Sequence, residues 1–150
     1  MTSIPKSALI LGLAGTLPFI GATLMLVAPD MVTPLTGMNV LSQRVMAPTI
    51  ILLYGQIILA FMSGVLWGFA TKAEGRQAAL GYTLSVIPAL WAFFTIGAGP
   101  TASAIYLIAG FIGLLALDWT FWQQGLTPEW WMRLRVLLTA VVVACLSVLV

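Results

Sequence analysis

The chain has 150 residues, 61% of them hydrophobic and 7% charged, against roughly 25% charged in an ordinary soluble domain. Ten ionised side chains cannot cover the surface of a soluble fold this size, so lipid must cover much of it. A net charge of +2 is too small for a phosphate-tracking patch, which argues against a nucleic-acid partner. There is no histidine, which removes bis-histidine haem, Ser-His and Cys-His nucleophile pairs, and imidazole metal sites. The lone Cys145 sits in an apolar run and makes neither an intrachain disulfide nor a zinc cluster. No catalytic, cofactor-binding or metal residue is assigned from the sequence, and the chain is read as non-enzymatic.

In chain order, five segments reach the roughly 20 apolar residues that span about 30 Å of hydrocarbon. The expectation is an all-α polytopic membrane protein, a bundle of about five transmembrane helices forming one domain. The first segment covers about residues 7–28, after Pro5-Lys6 and before Pro29-Asp30. Its length exceeds the h-region of a signal peptide, so it reads as a retained helix. Pro18 should kink it.

The next link, Pro29 to Ala47, mixes Met31, Val32, Leu35, Leu41 and Val45 with polar residues. It reads as a loop with an amphipathic stretch along the interface. The second helix is expected at about residues 48–70, starting on Pro48. It contains Tyr54-Gly55-Gln56 and, further on, Gly64, Trp67 and Gly68. Gly64 and Gly68 make a Gly-xxx-Gly pair that lets another backbone approach, read first as packing inside the bundle and second as docking between molecules.

The third helix, about residues 77–96, carries Pro88 and ends where Gly97, Gly99 and Pro100 break it. Helix four, about residues 101–123, follows as the second arm of a hairpin, with Gly125 as its cap. Asp118 lies near its C-terminal end, where the helix dipole opposes an anion. It calls for a cationic partner, with Arg133, Arg135 and Arg76 as the candidates. The fifth helix covers about residues 129–149.

With five crossings, Lys6, Lys72, Arg76, Arg133 and Arg135 share one side and Arg44 stands alone on the other. The positive-inside rule then orients the chain N-in/C-out. Trp67, Trp119, Trp122, Trp130 and Trp131 crowd the same side, as interfacial anchors do.

The run Tyr54 to Phe61 followed by Gly64 and Trp67-Gly68 resembles the signature of small proteins related to transmembrane protein 69, whose bacterial members form a domain family of unknown function. Pro5-Lys6-Ser7, Tyr82-Ser85-Pro88, Asp118, Leu126-Thr127-Pro128 with Trp130-Trp131, Leu134-Arg135 and Leu138-Thr139 agree with it, so the resemblance covers nearly the whole chain. It implies a five-helix inner-membrane protein, mitochondrial in eukaryotes, and supplies no substrate. Met1 to Ser7 holds one lysine and no arginine, which fits a bacterial inner-membrane protein rather than one with a mitochondrial presequence.

The functional expectation is an accessory or assembly subunit of a respiratory or photosynthetic complex, acting through lipids and partner membrane-protein subunits. The alternative is a small transporter or a lipid- or quinone-binding bundle built on the Pro18 and Pro88 kinks. The residues singled out are Tyr54, Gly55, Gly64, Trp67, Gly68, Asp118, Arg133 and Arg135.

Overall fold

A computed structural model describes residues 3–150; Met1 and Thr2 lie outside it. The described residues form helices and no strand. They are α1 (Lys6–Ala14), α2 (Leu17–Val27), α3 (Pro29–Thr36), α4 (Val40–Ala70), α5 (Gly75–Phe94), α6 (Pro100–Gln123) and α7 (Trp131–Leu146), with a 3₁₀ turn at Ser147–Leu149. Among the described residues, five helical stretches are long and apolar enough to cross a membrane: Lys6–Val27, Val40–Ala70, Gly75–Phe94, Pro100–Gln123 and Trp131–Leu149.

Several boundaries differ from those read in the sequence; α5, read at about 77–96, runs two residues earlier at both ends, Gly75–Phe94. The first span is two helices, because the chain breaks at Gly15-Thr16 and restarts with Pro18 in the first turn of α2, where its missing N–H is harmless. The second span starts at Val40, not Pro48. Asn39 caps it by accepting the Ser42 N–H at 2.8 Å, and Pro48 sits inside the helix. At about 1.5 Å per residue its 31 residues exceed the hydrocarbon thickness, so part of α4 continues into the link once read as loop. The remainder of that link is α3, which buries Pro29 and Val32 and exposes Met31 and Leu35. α7 begins at Trp131, two residues late, because Pro128 to Trp130 form a turn closed by the Trp131 N–H on the Pro128 carbonyl.

α4 is the central helix, packed against α2, α5 and α6. Its buried residues Ala47, Ile51, Gly55, Leu59, Met62, Leu66 and Ala70 recur every three or four positions, which makes one continuous stripe. They meet Phe19, Leu107, Phe111, Leu114 and Phe121 in the core.

Two of the helices packed on α4, α2 and α5, each carry a proline that cannot donate to the helix ladder. In each case the carbonyl three residues ahead of the proline accepts a hydroxyl from α4. The Tyr54 hydroxyl donates to the Gly15 carbonyl at 3.0 Å, ahead of Pro18. The Ser63 hydroxyl donates to the Ser85 carbonyl, ahead of Pro88. Tyr54 and Ser63 are nine residues apart, about two and a half turns, and so point to opposite sides of α4. Each bond reaches the turn just ahead of a proline, and together they tie α2 and α5 to opposite sides of the central helix.

The two ends of the bundle are tied differently. At one end, which holds Lys6, Lys72, Arg76, Arg133 and Arg135 and is called here the basic end, Lys72 Nζ donates to the Leu126 carbonyl at 3.1 Å. That contact joins the α4–α5 link to the α6–α7 link. α6 closes there with Gly125 at φ 72°, while the Leu126 N–H returns to the Phe121 carbonyl and the Gly125 N–H to that of Trp122; this is the Schellman ending, for which glycine suits the left-handed position. At the opposite end Thr101 on α6 donates to the Leu149 carbonyl at 3.0 Å. There Gln43, fully buried, donates to Thr33 Oγ1 at 2.9 Å and to the Met38 carbonyl at 3.0 Å, pinning α3 onto α4.

Candidate functional site

The charged centre of the bundle lies where α6 meets α7. Asp118 is 0% exposed and Arg135 is 4% exposed. Arg135 Nε donates to Asp118 Oδ2 at 2.7 Å, and the Trp131 indole N–H donates to Asp118 Oδ1 at 2.8 Å. Each carboxylate oxygen therefore has a donor, which a buried anion requires.

The choice of arginine follows from helix geometry. Residues two apart on a helix do not share a face, so Arg133 and Arg135 point apart. Arg135 falls on the stripe shared with Thr139, Val142 and Leu146, all buried in α7. Arg133 is exposed and lines a shallow recess with Trp122, Glu129 and Met132. Asp118 is fully buried, whereas Glu129 and Arg133 are exposed. Trp131, read in the sequence as an interfacial anchor, turns inward instead and also stacks edge-on against Phe69 at 5.0 Å. Its spacing from Arg135, one helical turn, is the signal that would have placed both on Asp118.

The five remaining candidates lie along α4, on different faces. Tyr54 packs edge-on against Phe19 at 5.1 Å in addition to its Gly15 bond. Gly55 is buried, and a Cβ there would lie 3.0 Å from Leu107 Cδ1; it lets α6 approach closely. Gly64 and Gly68 do not serve packing inside the bundle. Both are exposed, and a Cβ at either would meet nothing within 4 Å. With exposed Leu53, Ile57 and Phe61 they form an outward stripe, on the far side from the buried one, notched where the glycines lie. Trp67 is beside this notch, half exposed, and rests on Tyr82 at 4.7 Å between ring centres.

A cavity of about 160 Å³ opens between α1, α2, α4, α6 and α7. Its walls include Gly12, Phe19, Phe61, Phe111, Arg135 and Thr139. Tyr54, Gln56 and Tyr82 are not among them.

Residues 4–150 match the family described as protein of unknown function (DUF3429). Transmembrane protein 69 of Xenopus tropicalis is 32% identical over 143 residues, which is 93% of this chain and 51% of that protein. The chain therefore spans about half the length of the curated relative it matches. No solved structure matches it.

Proposed function

Since the chain belongs to the DUF3429 family, we propose, from the outer face of α4, that it is a non-enzymatic accessory or assembly subunit of an inner-membrane respiratory or photosynthetic complex. The observation that carries this reading is the Gly64–Gly68 notch. A Gly-xxx-Gly pair lets two membrane helices come into backbone contact, and among the described residues nothing lies within 4 Å of a Cβ added at either glycine. A partner helix laid along Ile57, Phe61, Gly64 and Gly68 would bury an apolar ridge and groove that otherwise meet only lipid.

The test is purification of the tagged full chain from its native membrane in mild detergent. The wild-type chain is expected to bring a membrane-protein partner with it. Gly64→Leu/Gly68→Leu is expected to lose the partner while its membrane abundance stays unchanged, because the added side chains enter open space. Migration of the wild-type chain only as a free monomer, or an unaltered partner with the double variant, would overturn the reading.

We further propose that the basic end faces the cytoplasm of a bacterial cell, giving an N-in/C-out chain in the inner membrane. Five of six basic residues lie at that end, as cytoplasmic loops require, and Trp119 and Trp122, both exposed and 5.1 Å apart between ring centres, provide its interfacial anchor. A reporter active only outside the cytoplasm, fused after Val150, is expected to be active; an active cytoplasmic reporter at that position would reverse the orientation.

A further inference from the structure

α7 buries a cationic and a hydroxyl side chain one turn apart, and neither has used all its donors. Arg135 spends Nε on Asp118, but its Nη2 is buried without a hydrogen-bond partner. Thr139, 5% exposed, has a buried Oγ1 that is likewise unpartnered. Both line the same cavity of about 160 Å³. Buried donors without acceptors are expensive, and two of them bordering one void point to an acceptor that belongs there.

The charge of the surroundings selects the kind of acceptor. Asp118 already neutralises Arg135 at 2.7 Å, and among the described residues no other charged one lines the cavity. An anion brought in would stand uncompensated in a low-dielectric interior. A neutral oxygen with two lone pairs accepts from both donors without that penalty. Water fits the donors poorly as sole occupant. The void is several times the about 30 Å³ share of one molecule, and the remaining walls, among them Phe19, Ile58 and Phe111, offer it little to bond. Leu11 and Phe61 line the cavity yet are themselves exposed, so its mouth opens sideways, toward the lipid, between α1 and α4.

We propose that this cavity binds the carbonyl of a neutral lipid, with Arg135 Nη2 and Thr139 Oγ1 donating to the oxygen and the apolar body leaving past Leu11 and Phe61. Two carriers present that chemistry, a quinone ring and a glycerol ester. The site is internal to one chain, so it is read on the isolated protein whether or not a partner docks on α4.

The test is native mass spectrometry of the purified full chain titrated separately with decylubiquinone, dioleoylglycerol and oleate. One or both neutral compounds are expected to bind, decylubiquinone alone assigning the quinone ring and dioleoylglycerol the ester. Thr139→Val, which keeps the volume and removes the donor, is expected to weaken that binding about fivefold. Thr23→Val makes the same change at another buried, unpartnered hydroxyl that does not line the cavity, and is expected to leave binding as it was. Retention of oleate alone, binding of none of the three, or equal behaviour of the two variants would overturn the assignment.

Discussion

Replacing Arg135 by leucine is expected to destabilise the chain by about 3–5 kcal/mol, the range for leaving one member of a buried ion pair alone. The reason is specific to the neighbourhood. Asp118 is fully buried, and its Oδ2 would lose the donor at 2.7 Å while Trp131 supports only Oδ1. The anion also faces the negative end of α6, so nothing in its own helix relieves it. The double variant Asp118→Leu/Arg135→Leu is expected to recover most of the loss, because replacing both charges by apolar groups removes the desolvation penalty as well. Asp118→Asn is expected to lie between, since the neutral amide still accepts a bond while Arg135 becomes an unpaired cation. Equilibrium unfolding in mixed detergent and SDS, with membrane abundance as a second readout, checks the series. If Asp118→Asn and Arg135→Leu both matched wild type, the pair would not be what pins α6 to α7.

Gly110→Ala is expected to destabilise by about 1–3 kcal/mol, the usual effect of overpacking, although alanine is the better helix former by about 1 kcal/mol. An added Cβ would stand 2.7 Å from Leu59 Cδ2 and 2.9 Å from Trp91 Cδ1. Leu59 is in the core stripe of α4, and Trp91 is held in place by its indole donating to the Tyr106 carbonyl at 2.7 Å, so neither yields easily. Gly113→Ala, three residues along the same helix, meets nothing within 4 Å and is expected to be neutral or slightly stabilising. Thermal unfolding of the two variants side by side separates packing from propensity; equal shifts would show that the α4–α5–α6 contact is looser than described.

The five apolar stretches were legible because a bilayer demands length and hydrophobicity, and Gly97, Pro100 and Gly125 mark their ends. The start of α4 was not. Ser42, Gln43 and Arg44 sit where the helix leaves the hydrocarbon, and a search for apolar length does not register a helix in the interfacial zone. Pro48 then looked like a first-turn proline. Arg135 was legible in principle, since it shares the 135, 139, 142, 146 stripe and Arg133 does not. The outward direction of Gly64 and Gly68 was hidden for a physical reason. Lipid tails are as apolar as a protein core, so the face toward lipid and the face toward α6 carry the same kinds of residue. The cavity was out of reach as well, because its walls come from α1, α2, α4, α6 and α7, which only folding brings together.

The two hydroxyls of α4 carry a consequence for how the chain is made. Synthesis runs from the N-terminus, so the first span enters the bilayer with its break at Gly15 and Pro18 before Tyr54 exists to meet it. Until α4 follows, α2 lacks both that hydroxyl and the helix it packs against most closely. α5 has no such interval, because Ser63 precedes Ser85 in the chain and waits in the membrane. Insertion of α4 is therefore the event that commits the first span, and an insertion machinery that shelters one helix until the next arrives would be needed at the beginning of this chain rather than at its middle.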